Sequence, residues 1–152
     1  MKPVVICAAL VIALASATPF CAQDDANLAD FSITLKRTAC LGACPDYEVT
    51  IHGNGRVRYQ GNWYVRVKGV RERVIPIPNV QKLARRLEAV QFFAWHETDL
   101  VCLDFPEVRI NASLGPRRNH VLEGCNTPGK VLALAAEIDR TAGTNRWVKQ
   151  PP

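Results

Sequence analysis

Two cysteines lie between two segments in which apolar and polar residues alternate, and this arrangement constrains the fold more than any other feature. The alternating apolar positions are Phe31, Ile33, Leu35, Tyr47, Val49 and Ile51. A period of two residues is typical of a strand that buries one face only. The sequence therefore predicts two strands, with Cys40 and Cys44 in the loop that connects them.

A glycine-containing turn, Gly53-Asn54-Gly55, follows the second of these strands. Turns of two and three residues give registers that differ by one residue, and a slip of one residue would point the apolar side chains toward water. We therefore predict the three-residue turn, with Gly55 in the left-handed conformation and Ile51 opposite Val57.

Further strands are predicted at residues 63–67 and 70–75. Between the first hairpin and these strands, Gly61 can form either a turn or a bulge within one long strand. Pro76 and Pro78 are predicted to end this region, because proline donates no hydrogen bond to a sheet.

Two helices are predicted from apolar residues that recur at helical spacing. The first is capped by Asn79, and the second begins at Thr127-Pro128 and ends at Gly143. The apolar positions of the two helices are Val80, Leu83, Leu87, Val90, Val131, Leu134, Ala135 and Ile138.

A second hairpin is predicted between the helices. Alternating residues at 108–114 lead into a Gly115-Pro116 turn, and we expect Ala112 to lie opposite Val121. The order is then strands, helix, hairpin, helix. This order predicts an α+β fold, in which a single antiparallel sheet of about five or six strands carries both helices on one face.

The first 22 residues have the features of a signal peptide. Lys2 precedes an apolar run at residues 3–17, and this run is too short to span a bilayer comfortably. Cleavage is expected after Ala17 or after Ala22. The protein is therefore predicted to be exported to the periplasm or the cell exterior, with no membrane span after processing.

The rest of the chain divides into a linker at residues 23–30, one α+β domain at 31–148 and a tail at 149–152. A lipid anchor on Cys21 is disfavoured, because Thr18-Pro19-Phe20 differs from the small-residue context of lipoprotein signals.

Four cysteines lie beyond residue 22, and an even number in an exported chain favours disulfides. Residues four apart in a tight loop can reach disulfide geometry, and the predicted second hairpin brings Cys125 near the loop that carries Cys102. We therefore favour Cys40 with Cys44 and Cys102 with Cys125 among the three possible connectivities.

An alternative is that Cys40 and Cys44 bind Cu(I) or act in redox chemistry. Their Cys-x-x-x-Cys-Pro pattern resembles the copper-binding loop of the Sco chaperones, and thiolates suit Cu(I). In those proteins, however, the loop leads into a helix, whereas Pro45 here leads into a strand pattern.

No catalytic residue and no cofactor are predicted. The chain lacks a glycine-rich phosphate loop and a Gly-x-Ser-x-Gly motif. Its His96-Glu97-Thr98-Asp99 segment lacks the spacing that places two metal ligands on one helical face, so we expect a solvated loop there.

Basic residues are concentrated in the middle third of the chain. Residues 56–86 contain nine Lys or Arg and a single acid, Glu72. If the strands alternate as predicted, one face carries a candidate anion-binding surface formed by Arg56, Arg58, Arg66 and Lys68. The partner would be an anionic envelope component or an acidic protein rather than nucleic acid, and the alternative is an ordinary solvated face.

The cysteine loop also carries a family resemblance. The segment from Cys40 to Tyr47, the glycine hairpin after it and Asp104-Phe105-Pro106 resemble the bacterial family known as domain of unknown function 6438. The resemblance covers about residues 31–148, with Leu41 where the family usually has Phe and Leu103 where it usually has Thr. It implies export and a single domain, and it implies no particular reaction.

These observations predict an exported, disulfide-linked, non-enzymatic binding or interaction domain of the bacterial envelope. The alternative is a copper-binding or redox protein that uses Cys40 and Cys44.

Overall fold

A six-stranded antiparallel sheet forms the centre of the protein in the computed structural model, which describes residues 28–96 and 102–148. The strands are β1 (Ser32–Arg37), β2 (Asp46–His52), β3 (Arg56–Trp63), β4 (Gly69–Val74), β5 (Val108–Leu114) and β6 (Arg117–Glu123). Their order across the sheet is β4-β3-β2-β1-β5-β6. Strand β1 thus pairs with both β2 and β5, which joins the two hairpin regions into one sheet.

The helices cover one face of this sheet. They are α1 (Ile77–Ala89), α2 (Gly129–Ala142) and the short α3 (Asn145–Val148), with single 3-10 turns at Leu28–Asp30 and Phe92–Ala94. The buried residues of α1 and α2 form one apolar core with the inward side chains of the strands. The structure therefore confirms the predicted α+β class and the order strands, helix, hairpin, helix.

The first hairpin has the predicted register. Ile51 lies opposite Val57, and Gly55 has a φ of 82°, in the left-handed region. The backbone N–H of Gly53 donates to the Phe31 carbonyl at 2.8 Å, which ties the turn to the residue that precedes β1.

The predicted strand at residues 63–67 is wrong. Strand β3 continues through Gly61 to Trp63, and residues 64–68 form the connection to β4. Within that connection the Val67 carbonyl accepts a hydrogen bond from the Tyr59 hydroxyl, and the Val67 N–H donates to the Trp147 carbonyl. The segment is therefore held over the end of the sheet by contacts with β3 and α3 instead of pairing as a strand.

Both helices begin at positions that differ from the predicted ones. Helix α1 starts at Ile77, so Pro78 lies in its first turn and Asn79 is not the cap. Proline fits there because the first N–H groups of a helix have no partner within it. Helix α2 starts at Gly129, with Pro128 in the cap position, and it ends at Gly143 as predicted.

The second hairpin has a register two residues away from the prediction. Ile110, not Ala112, lies opposite Val121, because the turn consists of Gly115 and Pro116 alone. A shift of two residues keeps the same side chains on the same face, so Val121 is buried in either register.

The predicted chain divisions fall partly outside the described residues. The signal peptide at 1–22, the tail at 149–152 and most of the His96–Asp99 segment lie there. Residues 28–30, at the end of the predicted linker, form a 3-10 turn whose Leu28 packs against the core.

Candidate functional site

The two disulfides lie at the same end of the sheet. Cys40 and Cys44 are bonded within the β1–β2 loop, with Cα atoms 5.5 Å apart, and Cys102 and Cys125 are bonded with Cα atoms 5.6 Å apart. These are the pairings that the sequence favours. The loops also contact each other, because the Leu41 N–H donates to the Asp104 carbonyl at 3.2 Å.

A groove of about 350 Å³ lies between the two disulfide loops. Its walls are mainly apolar and include Pro45, Phe105, Pro106 and Leu132. On the same loops, Leu41 and Leu103 are 84% and 88% exposed, more than any other large apolar residue of the described chain. The groove at this end of the molecule can therefore hold an apolar group.

A polar network links β1, β2 and α2 beside this groove. The Asp139 carboxylate accepts hydrogen bonds from the Tyr47 hydroxyl at 2.7 Å, from Thr144 Oγ1 at 2.8 Å and from the Arg37 guanidinium at 3.0 Å. Arg37 also donates through Nε to the Tyr47 oxygen at 3.0 Å. Burial is the main cause that raises the pKa of Tyr47, and the negative charge of Asp139 raises it further. The phenol therefore stays protonated at neutral pH.

Sequence reasoning missed this network, although a signal was present. In β1, every second side chain points toward the core, and Arg37 is the last residue in this alternation. In α2, Asp139 comes directly after the buried Ile138 and lies on the same side of the helix. A charged residue on each of two apolar surfaces suggests a buried pair, because a buried charge generally needs a partner. The 102-residue separation hides which charges meet.

Raising the pH is expected to destabilise the fold through Tyr47 and Tyr59. Burial raises the pKa of Tyr59 to about 12, and the pKa of Tyr47 is also raised. Since these folded values exceed that of an unfolded tyrosine, the stabilisation is fully present below about pH 10 and is lost as the pH rises through the folded values. Chemical unfolding between about pH 9 and pH 12 measures this loss, which is expected to be smaller in Tyr47→Phe. An equal decline in that variant would contradict the role of Tyr47.

The residues of the candidate anion-binding surface do not share one strand face. Arg56 and Arg58 point outward from β3, whereas Arg66 and Lys68 lie in the β3–β4 connection. The Lys68 ammonium sits over the ring of Trp63, 4.6 Å from its centroid. Arg56 lies 3.4 Å from Glu72, an exposed pair of the kind that contributes little stability.

The outward face of the sheet brings together a different set of residues. Across the strands, one row runs Glu72, Arg58, Thr50, Thr34, Asn111 and His120. No outward residue of these described strands is buried. The basic residues of the face are Lys36, Arg56, Arg58, Arg109 and Arg118, and its acids are Asp46, Glu48 and Glu72. We call this surface the open face; it is net positive, and its centre is neutral and polar.

Within residues 28–96 and 102–148, no three His, Cys, Asp or Glu side chains are placed to hold a metal ion together. None of the helices there combines the length and the apolar character needed to cross a bilayer.

The fold and these surfaces define a small α+β domain with two disulfides at one end and one uncovered sheet face. The chain belongs to the family described as domain of unknown function (DUF6438), whose family model matches residues 31–142. A comparison with curated proteins returned no match.

Proposed function

We propose that the mature protein is an exported, non-enzymatic binding domain of the bacterial envelope that holds an anionic partner on its open face. The observation that carries the proposal is the combination of an uncovered six-stranded face with five basic residues against three acids. Clustered cations attract polyanions over distances that depend on ionic strength.

The disulfides support export. Two disulfides in a domain of this size are characteristic of an oxidising compartment such as the periplasm or the cell exterior. The Cys40–Cys44 bond constrains the β1–β2 loop, and the Cys102–Cys125 bond joins the segments that precede β5 and follow β6.

Charge reversal tests the binding surface. Arg58→Glu with Arg118→Glu is expected to weaken the association of the mature protein with polyphosphate and polygalacturonate at least tenfold in titration calorimetry. Raised ionic strength is expected to weaken wild-type binding. Because both arginines are exposed, the thermal midpoint is expected to change little.

The matched control is Arg85→Glu with Arg140→Glu, which makes the same change in net charge on the helices. This control is expected to bind nearly as well as the wild type. An equal loss in both double variants would show attraction by net charge alone and would overturn the open face as the binding surface.

Mass spectrometry of the exported protein tests the location and separates the proposal from the copper or redox alternative. We expect a mature N-terminus between Thr18 and Gln23 and, before reduction, no alkylation of Cys40, Cys44, Cys102 or Cys125. Intact Met1 on a cytoplasmic protein would contradict export. Ready alkylation of Cys40 and Cys44, with Cu(I) binding lost in Cys44→Ser, would favour the alternative.

A further inference from the structure

The open face contains a shallow groove of about 390 Å³ over β1, β5 and β6. The side chains that line it from the open face are Ser32, Thr34, Asn111, Ser113, Arg118 and His120. Hydroxyl and amide groups therefore form most of its surface, and a cation lies at its β6 side.

Groups of this kind suit a ligand that has many hydroxyls. Serine, threonine and asparagine side chains both donate and accept hydrogen bonds, as sugar hydroxyls do. Thr34 and Thr50 share one hydrogen bond at 2.9 Å, and Ser113 donates to the Asp30 carbonyl. Within the described chain, Ser32 and Asn111 make no side-chain hydrogen bond, so both remain open to a ligand.

Arginines stand on both sides of this neutral centre. Arg58 lies on β3 and Arg118 on β6, and neither forms an ion pair within the described residues. Four strand spacings separate β3 from β6, or about 19 Å. A ligand that reaches both arginines must be an extended chain of several units with anionic groups along it. Arginine recognises carboxylates with two parallel hydrogen bonds.

The composition of the face argues against other polyanions. Sheets that bind single-stranded nucleic acid stack the bases on aromatic side chains. The strands that line the groove, β1, β5 and β6, carry no outward Phe, Tyr or Trp, and the exposed Trp63 lies at the end of β3. Polyphosphate would satisfy the arginines but has no hydroxyls for the central groove.

We propose that the groove between Arg58 and Arg118 binds a carboxylated polysaccharide, with its sugar hydroxyls on Ser32, Thr34 and Asn111. This inference rests on the proposed function, because it assigns a ligand class to the same open face.

Removing hydrogen-bonding groups without changing charge tests the ligand class. In the mature protein, Ser32→Ala with Asn111→Ala is expected to weaken polygalacturonate binding about tenfold and to leave polyphosphate binding within twofold of the wild type. Both replaced side chains are accessible to solvent, so an unchanged thermal midpoint is expected and serves as the control for folding.

The outcomes distinguish the two proposals. If polyphosphate and polygalacturonate bind equally well and neither responds to the alanine variant, the polysaccharide inference is wrong and the anion-binding function stands. If the wild type binds neither polymer, both proposals are wrong. Tight binding of neutral dextran would also overturn the inference, because it would show that the arginines are not needed.

Discussion

Asp139→Ala is expected to lower the free energy of unfolding by about 2 to 3 kcal/mol. The carboxylate accepts three hydrogen bonds, and its loss leaves Arg37 and Tyr47 without their common acceptor. The expected loss is smaller than for a fully buried pair, because the side chains of Arg37 and Asp139 remain 25% and 20% exposed. Denaturant unfolding measures the change.

The matched control is Glu137→Ala, two positions earlier on α2. Glu137 accepts one hydrogen bond at 3.2 Å from Arg86, whose side chain is 45% exposed. Its removal is expected to cost less than about 1 kcal/mol. Similar losses at the two positions would show that the Asp139 network contributes no more than a surface ion pair.

Gly53→Ala is expected to destabilise the protein by about 3 kcal/mol, at the upper end of the range for overpacking. A Cβ atom at this position would lie 1.7 Å from the Leu28 carbonyl oxygen. The obstacle is backbone, so relief requires the 3-10 turn at Leu28–Asp30 to move away from the hairpin. Thermal and denaturant unfolding measure the loss.

Gly129→Ala is the control for this substitution. The site has no atom within 4 Å of the added Cβ, and Gly129 begins α2 in an ordinary helical conformation. We expect a change within about 0.5 kcal/mol. If Gly53→Ala lowered the free energy of unfolding as little as Gly129→Ala, the result would contradict the close packing of Leu28 against the hairpin.

The sequence predicts which face of the sheet a side chain occupies better than it predicts which residues lie opposite each other on paired strands. The alternation around Ile51 and Val57 determines the first register, because a one-residue slip would expose the whole apolar set. Around Val121 the competing registers differ by two residues and bury the same side chains, so alternation cannot choose between them. The predicted strand at 63–67 failed for a different reason, because tertiary hydrogen bonds of Val67 override its apolar pattern.

The residues of the open face could be identified only once the order of the strands in the sheet was known. The hairpins β2–β3 and β5–β6 can be predicted from their turns, but the pairing of β1 with β5 joins residues more than 70 positions apart. That pairing places Thr34 beside Asn111 and brings the arginines of the two hairpins onto one surface. Arg58 could therefore be predicted as a candidate from the sequence, whereas Arg118 could not.

The most direct test of the binding surface is a nuclear magnetic resonance titration of the arginine Nε–Hε signals of the mature protein with polygalacturonate. We expect the signals of Arg58 and Arg118 to shift with increasing ligand, while those of Arg85 and Arg140 on the helices remain in place. Equal shifts of all four signals, or shifts confined to the helix arginines, would contradict binding at the open face.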